Sequence, residues 1–183
     1  MARIIYKEGY EGQNTLESIE GIEIDLLNGK KALIYPKYSE EVMLPVNKIE
    51  SWNANQISEI EALKKDENLW ATVALLKCGS PAAEFVSNFY SGKHGLFGLP
   101  TLLAAIEIKD QKFDIDALAI TVKGTDLLCN FTGNIWSCSR SVDANNWVAS
   151  DHYYFASDYS YLGNSNLAVP VILYSQRRGA CPA

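Results

Sequence analysis

The sequence predicts an α+β protein, because three patterns follow one another along the chain. Apolar and polar residues alternate at positions 22–26, and Asn28-Gly29 then supplies a hairpin turn before the apolar run 31–35. In stretches between residues 53 and 106, apolar residues recur at helical spacing. After Asn130 the helical spacing disappears, and short apolar pieces alternate with Asn, Ser, Asp, Gly and Tyr. Together these patterns predict two or three helices combined with antiparallel sheets.

The first half of the chain contains the predicted hairpin and one predicted helix. Residues 1–50 are expected to be rich in β-strand, and the short apolar piece at 42–45 extends this part. Residues 53–67 combine charged residues with apolar residues at helical spacing, which predicts a helix. The apolar run 70–76 either extends that helix or forms a buried strand, and the sequence leaves both alternatives open.

Two further helix starts follow. Ser80-Pro81 is typical of an N-cap and a first helical residue, and an apolar stripe then continues to a glycine-rich loop at 92–98. Leu99-Pro100-Thr101 leads into a second predicted helix that begins at Leu102. The secondary structure of residues 113–128 is left open. We therefore predict a single domain, residues 1–183, with a β-rich part at 1–50, a helical middle at 51–128, and a C-terminal sheet with display loops at 129–175.

Composition excludes several functional classes. The 183-residue chain is 48% hydrophobic, which is ordinary for a globular protein. Its formal net charge of −6 disfavours general binding to phosphate backbones, so no nucleic-acid partner is expected. Its apolar stretches are far shorter than the roughly 20 residues that a membrane-spanning helix needs, so no membrane insertion is expected. No apolar segment typical of a secretory signal follows Met1, so a virion or cell-surface location would need another route.

Cysteine and acidic residues give no sign of a metal or cofactor site. The four cysteines have no C-x-x-C spacing, so buried thiols are expected, with a Cys129–Cys138 bridge as the alternative. The acidic residues between Glu107 and Asp116 are expected to form a solvated face, not a calcium site.

Neither histidine is expected to act in catalysis. His94 is expected to be a loop residue, because glycines surround it. His152 follows Asp151 directly, and adjacent strand residues point to opposite faces, so the two would not form an acid–base pair. We therefore predict no catalytic residue, no metal and no cofactor.

The C-terminal third contains an unusual polar and aromatic segment. Twelve of the seventeen residues at 150–166 are Ser, Asp, Asn or Tyr. Antibody-like binding surfaces favour this set, because Tyr supplies contact area with few rotatable bonds and the small polar residues supply adaptable hydrogen bonds. The alternative is a polar loop whose tyrosines cover a sheet, since Tyr is common in strands.

Motifs around this segment resemble a known family. Trp136-Ser137-x-Ser139, Asn146-Trp147 and Val169-Pro170-Val171, with the upstream Leu99-Pro100-Thr101 turn, resemble the C-terminal part of C-type-lectin-fold domains. The match covers roughly residues 95–175. The variable proteins of diversity-generating retroelements carry the same pattern. In that family an adenine-directed copying step rewrites Asn-type codons, and Asn, Tyr, Ser, Asp and His are among the outcomes.

The resemblance implies a C-type-lectin-like fold and a role for each matched position. Trp136, Trp147 and Val169-Pro170-Val171 would form the framework, with Pro170 at a strand edge or bulge. The chain would be a non-enzymatic recognition protein for a protein or cell-surface ligand, associated with a phage or a cell surface, and self-assembly stays open. The residues of the implied ligand-binding surface are Arg140, Asp143, Asn145, Ser150, Asp151, His152, Tyr153, Tyr154, Ser157, Asp158, Tyr159, Tyr161, Asn164 and Asn166.

Two other functions stay open. An enzyme of the formylglycine-generating type has a lectin-type fold and needs a reactive cysteine pair, for which Cys129 and Cys138 are the candidates. A structural tail or adhesin module would use the polar segment only as a fixed, solvated face. Calcium-dependent sugar binding is not expected, because the Glu-Pro-Asn and Gln-Pro-Asp loops of such lectins are missing from the sequence.

Overall fold

The structure is a computed structural model that describes residues 1–37, 42–43, 68–69, 72–73, 76, 80–125, 135–140, 147–149, 159–160 and 165–175. These residues form a mixed α+β fold, as predicted. The strands are β1 (Arg3–Tyr6), β2 (Ile19–Asp25), β3 (Lys30–Ile34), β4 (Val42–Met43), β5 (Tyr90–Ser91), β6 (Gly95–Leu96), β7 (Trp136–Arg140), β8 (Trp147–Ala149), β9 (Tyr159–Ser160), β10 (Ser165–Asn166) and β11 (Val171–Ser175). The helices are α1 (Pro81–Val86), α2 (Leu102–Asp110) and α3 (Lys112–Ala119).

The central sheet has four antiparallel strands in the order β1-β2-β3-β11. The predicted hairpin is confirmed, because β2 pairs with β3 and Asp25 lies opposite Lys31. Gly29 occupies the turn at a φ of +80°, which glycine adopts at little cost. The Asn28 side chain accepts a hydrogen bond from the Lys30 N–H at 3.0 Å and so closes the turn.

The last described strand belongs to this N-terminal sheet. β11 pairs with β3, and Val171 lies opposite Ile34. The strands between residues 129 and 175 therefore do not form one sheet, although the division of the chain into a single three-part domain stays a prediction. Pro170 comes directly before β11, so it occupies no position inside a strand and removes no hydrogen bond from the sheet.

Helices α2 and α3 contribute buried residues to the core on one face of the central sheet. Burial of each large aliphatic side chain there stabilises the fold by roughly 1.5–3 kcal/mol. The buried residues of this core are Ile22, Ile24, Leu26, Ala32, Ile34, Ala104, Ala105, Ile108, Ile115, Ala119, Ile135, Val169 and Val171.

Both helix starts lie where the sequence predicts them. The Ser80 hydroxyl accepts a hydrogen bond from the Ala83 N–H, with Pro81 as the first helical residue. The Thr101 hydroxyl accepts one from the Ala104 N–H at the start of α2. These side chains satisfy N–H groups that have no partner inside a helix.

Helix α1 is shorter than the apolar stripe predicts. It ends at Val86, and Tyr90 already belongs to β5. Phe85 and Phe89 still touch, with ring centroids 5.3 Å apart, and Phe89 stacks on Tyr35 at 4.7 Å. The helical spacing of these aromatic residues therefore reflects packing beside the central sheet and not a longer helix.

The structure also decides two open alternatives and corrects one expectation. Residues 72–73 and 76 are helical, which favours the helix over the buried strand for the run 70–76. Within 113–128, the residues up to Ala119 belong to α3. The expected solvated acidic face is wrong for Asp116, which is buried because it lies on the inner side of α3 next to Ile115. The predicted helix at 53–67 lies outside the described residues.

Candidate functional site

A separate three-stranded antiparallel sheet carries two of the predicted ligand-binding residues. Its order is β7-β8-β9, so β8 lies between the other two strands. Arg140 at the end of β7 is opposite Trp147, and Tyr159 at the start of β9 is opposite Val148. The β7–β8 register shifts between Trp136 and Arg140, as a β-bulge does, and such bulges re-aim the residues that follow. Arg140 and Tyr159 therefore lie on strands that flank β8.

The beginning of this sheet is fixed to the core. Trp136 is fully buried, and its N–H donates a hydrogen bond to the Leu167 carbonyl at 2.9 Å. The Cys138 N–H donates to the Pro100 carbonyl at 2.8 Å, which ties β7 to the turn before α2. Ile135 forms a parallel β-bridge with Leu167. These contacts hold β7 against helix α2 and against the strand segment that leads back to the central sheet.

The return path is equally well anchored. Asn166, the last of the predicted ligand-binding residues, pairs with Val42 in the two-stranded β10–β4 ladder. The next residues, Leu167 to Val169, are buried, and β11 then enters the central sheet. The chain is therefore anchored to the core on both sides of the predicted surface, at Trp136 and at Leu167.

The structure describes three of the fourteen predicted ligand-binding residues, and it brings two of them into one sheet. Arg140 and Tyr159 are in the β7-β8-β9 sheet, and Asn166 is in a different ladder. The framework positions Trp136, Val169 and Val171 are buried, as that role requires. The predicted ligand-binding residues outside the described ranges are Asp143, Asn145, Ser150, Asp151, His152, Tyr153, Tyr154, Ser157, Asp158, Tyr161 and Asn164.

A second feature, which the sequence did not predict, is a cleft of about 700 Å³ beside the central sheet. None of the three predicted ligand-binding residues that the structure describes lines it. Because strand neighbours alternate, its β1, β2 and β3 residues lie on the sheet face away from α2 and α3. The lining residues are Arg3, Ile5, Glu23, Lys31, Lys93, His94, Tyr174 and Ser175.

A network of ion pairs runs across the sheet at this cleft. Arg3 forms an ion pair with Glu23, which lies directly opposite it on β2. Lys31 Nζ lies 2.9 Å from Asp25 Oδ1 and 3.4 Å from Glu23 Oε1. The hydrogen bond from Lys31 is the main cause that holds the pKa of Asp25 below its usual value, and the charges of Lys31 and Arg3 add to it against the opposing effect of burial. The network fixes the positions of both basic side chains.

The hairpin of β5 and β6 forms the other wall. Glu20 is buried and accepts a hydrogen bond from the Gly92 N–H at 3.1 Å. The Ser91 hydroxyl accepts from the N–H groups of Lys93 and His94 and shapes the turn between the strands. His94 is a loop residue, as predicted, but its ring also stacks on Tyr174, with centroids 4.1 Å apart. Burial, and then the charge of Lys93, lowers the pKa of His94.

Other features of the described residues concern alternative functions. Cys138 is buried in β7, and Cys129 lies outside the described ranges, so the bridge and the enzyme hypothesis both stay predictions. Within the described ranges, no three His, Cys, Asp or Glu side chains are grouped as a metal ion would need. The same part of the chain contains no helix that is long and apolar enough to span a bilayer.

Comparisons with known proteins add no relative. A scan against models of protein families, a search of curated proteins and a search of solved structures found no match to this chain.

Proposed function

We propose that this chain is a non-enzymatic recognition protein that presents a Tyr, Asn, Ser and Asp surface at residues 140–166 to a protein or cell-surface ligand. The observation that carries the proposal is the hydrogen bond from the Trp136 N–H to the Leu167 carbonyl, at 2.9 Å. It joins the two ends of the segment at its base, and both ends are buried. Side chains within the segment can then change while the core beneath them keeps its packing.

We further propose that the scaffold is C-type-lectin-like. The resemblance implies two or three helices with antiparallel sheets, and the described residues form three helices and antiparallel sheets. The residues that carry the resemblance support it as well, since Trp136, Val169 and Val171 are buried where a framework needs them. Thr101 in the Leu99-Pro100-Thr101 turn caps α2, which packs against β7.

The residue types of the segment support a diversified surface. An adenine-directed copying step on Asn-type codons yields Asn, Tyr, Ser, Asp and His, and residues 150–166 are dominated by this set. A segment that is closed at its base by backbone hydrogen bonds tolerates such changes, because backbone bonds do not depend on side-chain identity. We therefore propose that the fourteen positions are the diversified positions of a retroelement variable protein, of phage or cell-surface association.

In this proposal, binding rests on aromatic anchors. Tyrosines such as Tyr159 would supply most of the binding energy, and the Ser, Asn and Asp side chains would supply adaptable hydrogen bonds. Arg140, on the other side of β8, would add a planar charged group of the kind enriched at binding hot spots.

A matched pair of double variants tests the proposal. Tyr159→Ala/Tyr161→Ala removes two tyrosines of the proposed surface, and Tyr10→Ala/Tyr90→Ala removes two exposed tyrosines elsewhere. Arrays of glycans and surface proteins, and intact bacterial cells, serve as the probes. For any ligand that the unmodified protein captures, the first variant is expected to bind at least about tenfold more weakly, and the second is expected to bind as the unmodified protein does. Equal binding by both variants would remove the proposal.

A further inference from the structure

We propose that the cleft between the central sheet and the β5–β6 hairpin is a second binding site, for a small organic anion that carries a carboxylate or a phosphate on an aromatic body. Its volume of about 700 Å³ lies in the range of small-molecule sites. None of its described lining residues belongs to the proposed recognition surface, so the two proposals can fail independently of each other.

The charge of the lining residues favours an anion. Among the described residues that line the cleft, three are basic, Arg3, Lys31 and Lys93, and one is acidic, Glu23. The whole chain carries a formal net charge of −6, so this concentration of positive charge is local. Positive side chains outnumber the carboxylate here, and a local excess of one sign raises the local concentration of the opposite charge.

The ion pairs divide the basic groups into two kinds. Arg3 and Lys31 are held in place by Glu23 and Asp25, and the Lys31 side chain is only 10% exposed. Lys93 lies at the exposed turn of the hairpin and forms no ion pair with any residue that the structure describes. The Lys93 ammonium is therefore the group that is free to pair with an incoming anion, next to a preorganised and partly neutralised wall.

The aromatic groups of the cleft favour a flat ligand body. The rings of His94 and Tyr174, which stack with 21° between their planes, line the cleft beside the aliphatic side chain of Ile5. The Tyr174 hydroxyl is buried and has no hydrogen-bond partner among the described residues. A buried hydroxyl without a partner is costly, and a small rotation of the Tyr174 side chain toward the cleft would let a carboxylate or phosphate oxygen accept its hydrogen bond.

The test uses the full chain and three small molecules at pH 7. Benzoate and phenyl phosphate carry the two candidate anionic groups, and benzamide is a neutral analogue of benzoate. Titration followed by amide NMR shifts is expected to move the signals of Lys93, His94 and Tyr174 with at least one of the two anions, and not with benzamide. The anion that binds more tightly identifies the headgroup.

Three variants connect the binding to the named groups. Lys93→Met is expected to weaken the binding of the preferred anion about threefold or more. Lys123→Met removes the same charge at an exposed position outside the cleft and is expected to leave the binding unchanged. Tyr174→Phe is expected to weaken it by a similar factor without lowering the unfolding midpoint, because the hydroxyl makes no bond to a described residue. Shifts confined to other parts of the chain, equal binding of benzamide, or equal affinities of Lys93→Met and Lys123→Met would overturn the proposal.

Discussion

The N–H of Trp136 donates a hydrogen bond to the carbonyl of Leu167, and this bond joins two residues that are 31 positions apart at the base of the proposed recognition surface. Trp136 is the largest fully buried side chain among the described residues, and Leu167 leads into the buried residues before β11. The buried framework residues and the proposed surface are therefore adjacent in sequence, but a substitution is expected to reduce stability more in the framework.

A substitution of a buried framework residue should destabilise the fold, and a substitution of a residue of the proposed surface should not. Trp136→Ala is expected to lower the free energy of unfolding by about 3–5 kcal/mol, because it empties a fully buried position. Tyr159→Ala is expected to change it by less than about 1 kcal/mol, because the proposal places that ring on the surface. Urea unfolding measures both. A loss of several kcal/mol for Tyr159→Ala would place that ring in the core and contradict the proposed surface.

The Asn68 side chain should stabilise the fold by linking its helical segment to strand β11. The side-chain amide of Asn68 donates a hydrogen bond to the Val171 carbonyl at 2.9 Å. The backbone carbonyl of Asn68 accepts one from the Thr72 hydroxyl at 2.6 Å. Asn68→Ala is expected to cost about 0.5–1.5 kcal/mol, because the Val171 carbonyl loses one of its two hydrogen bonds and keeps the one from the Gly98 N–H. The exposed Asn88 provides the control, since Asn88→Ala should change the free energy of unfolding by less than about 0.5 kcal/mol. Similar values for the two variants in urea unfolding would show that this link contributes nothing.

Replacement by alanine should affect stability differently at two glycines, Gly92 in the turn of the β5–β6 hairpin and Gly98 after β6. A Cβ atom at Gly98 would lie 2.7 Å from the Thr72 hydroxyl oxygen, which also accepts a hydrogen bond from the Leu99 N–H. A Cβ atom at Gly92 would lie 3.5 Å from Glu20, an ordinary contact distance. Gly98→Ala is therefore expected to lower the thermal unfolding midpoint by several degrees, at an overpacking cost of about 1–3 kcal/mol, and Gly92→Ala to leave it nearly unchanged. A midpoint for Gly98→Ala equal to that of Gly92→Ala would mean that the neighbours of Gly98 yield without cost.

His94 should make the stability depend on pH. Burial and the charge of Lys93 hold its pKa below the ordinary value of 6.5, against the smaller opposing effects of Glu23 and Glu20. The unfolded chain then binds a proton at a higher pH than the folded chain, so stability is lost as the pH falls below about 6.5. Urea unfolding between pH 8 and pH 5 is expected to show a smaller loss for His94→Gln than for the unmodified protein. Identical pH profiles would show that His94 titrates as it does in the unfolded chain.

Local features of the fold could be predicted from the sequence because local chemistry decides them. Asn28-Gly29 suits a tight turn, and the turn is there, with Gly29 at positive φ. Ser80 and Thr101 suit helix N-caps, and both accept the expected hydrogen bonds. Helix α1 could not be predicted in length, because Phe89 has helical spacing but packs on Tyr35 from outside the helix.

Long-range features could not be predicted, because periodicity shows that a segment is a strand without showing its partner. The pairing of β11 with β3, which places Tyr174 opposite Lys31, is one such feature. The cleft is another, since it combines residues from both ends of the chain with His94 from the middle. Framework residues such as Trp136 could be predicted from the motifs around the proposed surface. The hydrogen bond between Trp136 and Leu167 at its base is seen only in the structure.

The central claim is that residues 140–166 form a diversified recognition surface, and the DNA downstream of the gene tests it most directly. We predict a near-copy of the codons for residues 134–174 beside a reverse-transcriptase gene, with differences from the coding copy concentrated where the near-copy carries adenine. Those differences should fall on the fourteen ligand-binding positions and spare the codons for Trp136 and for residues 167–171. A downstream region without such a copy, or differences that fall mainly on the codons for these buried framework residues, would contradict the claim.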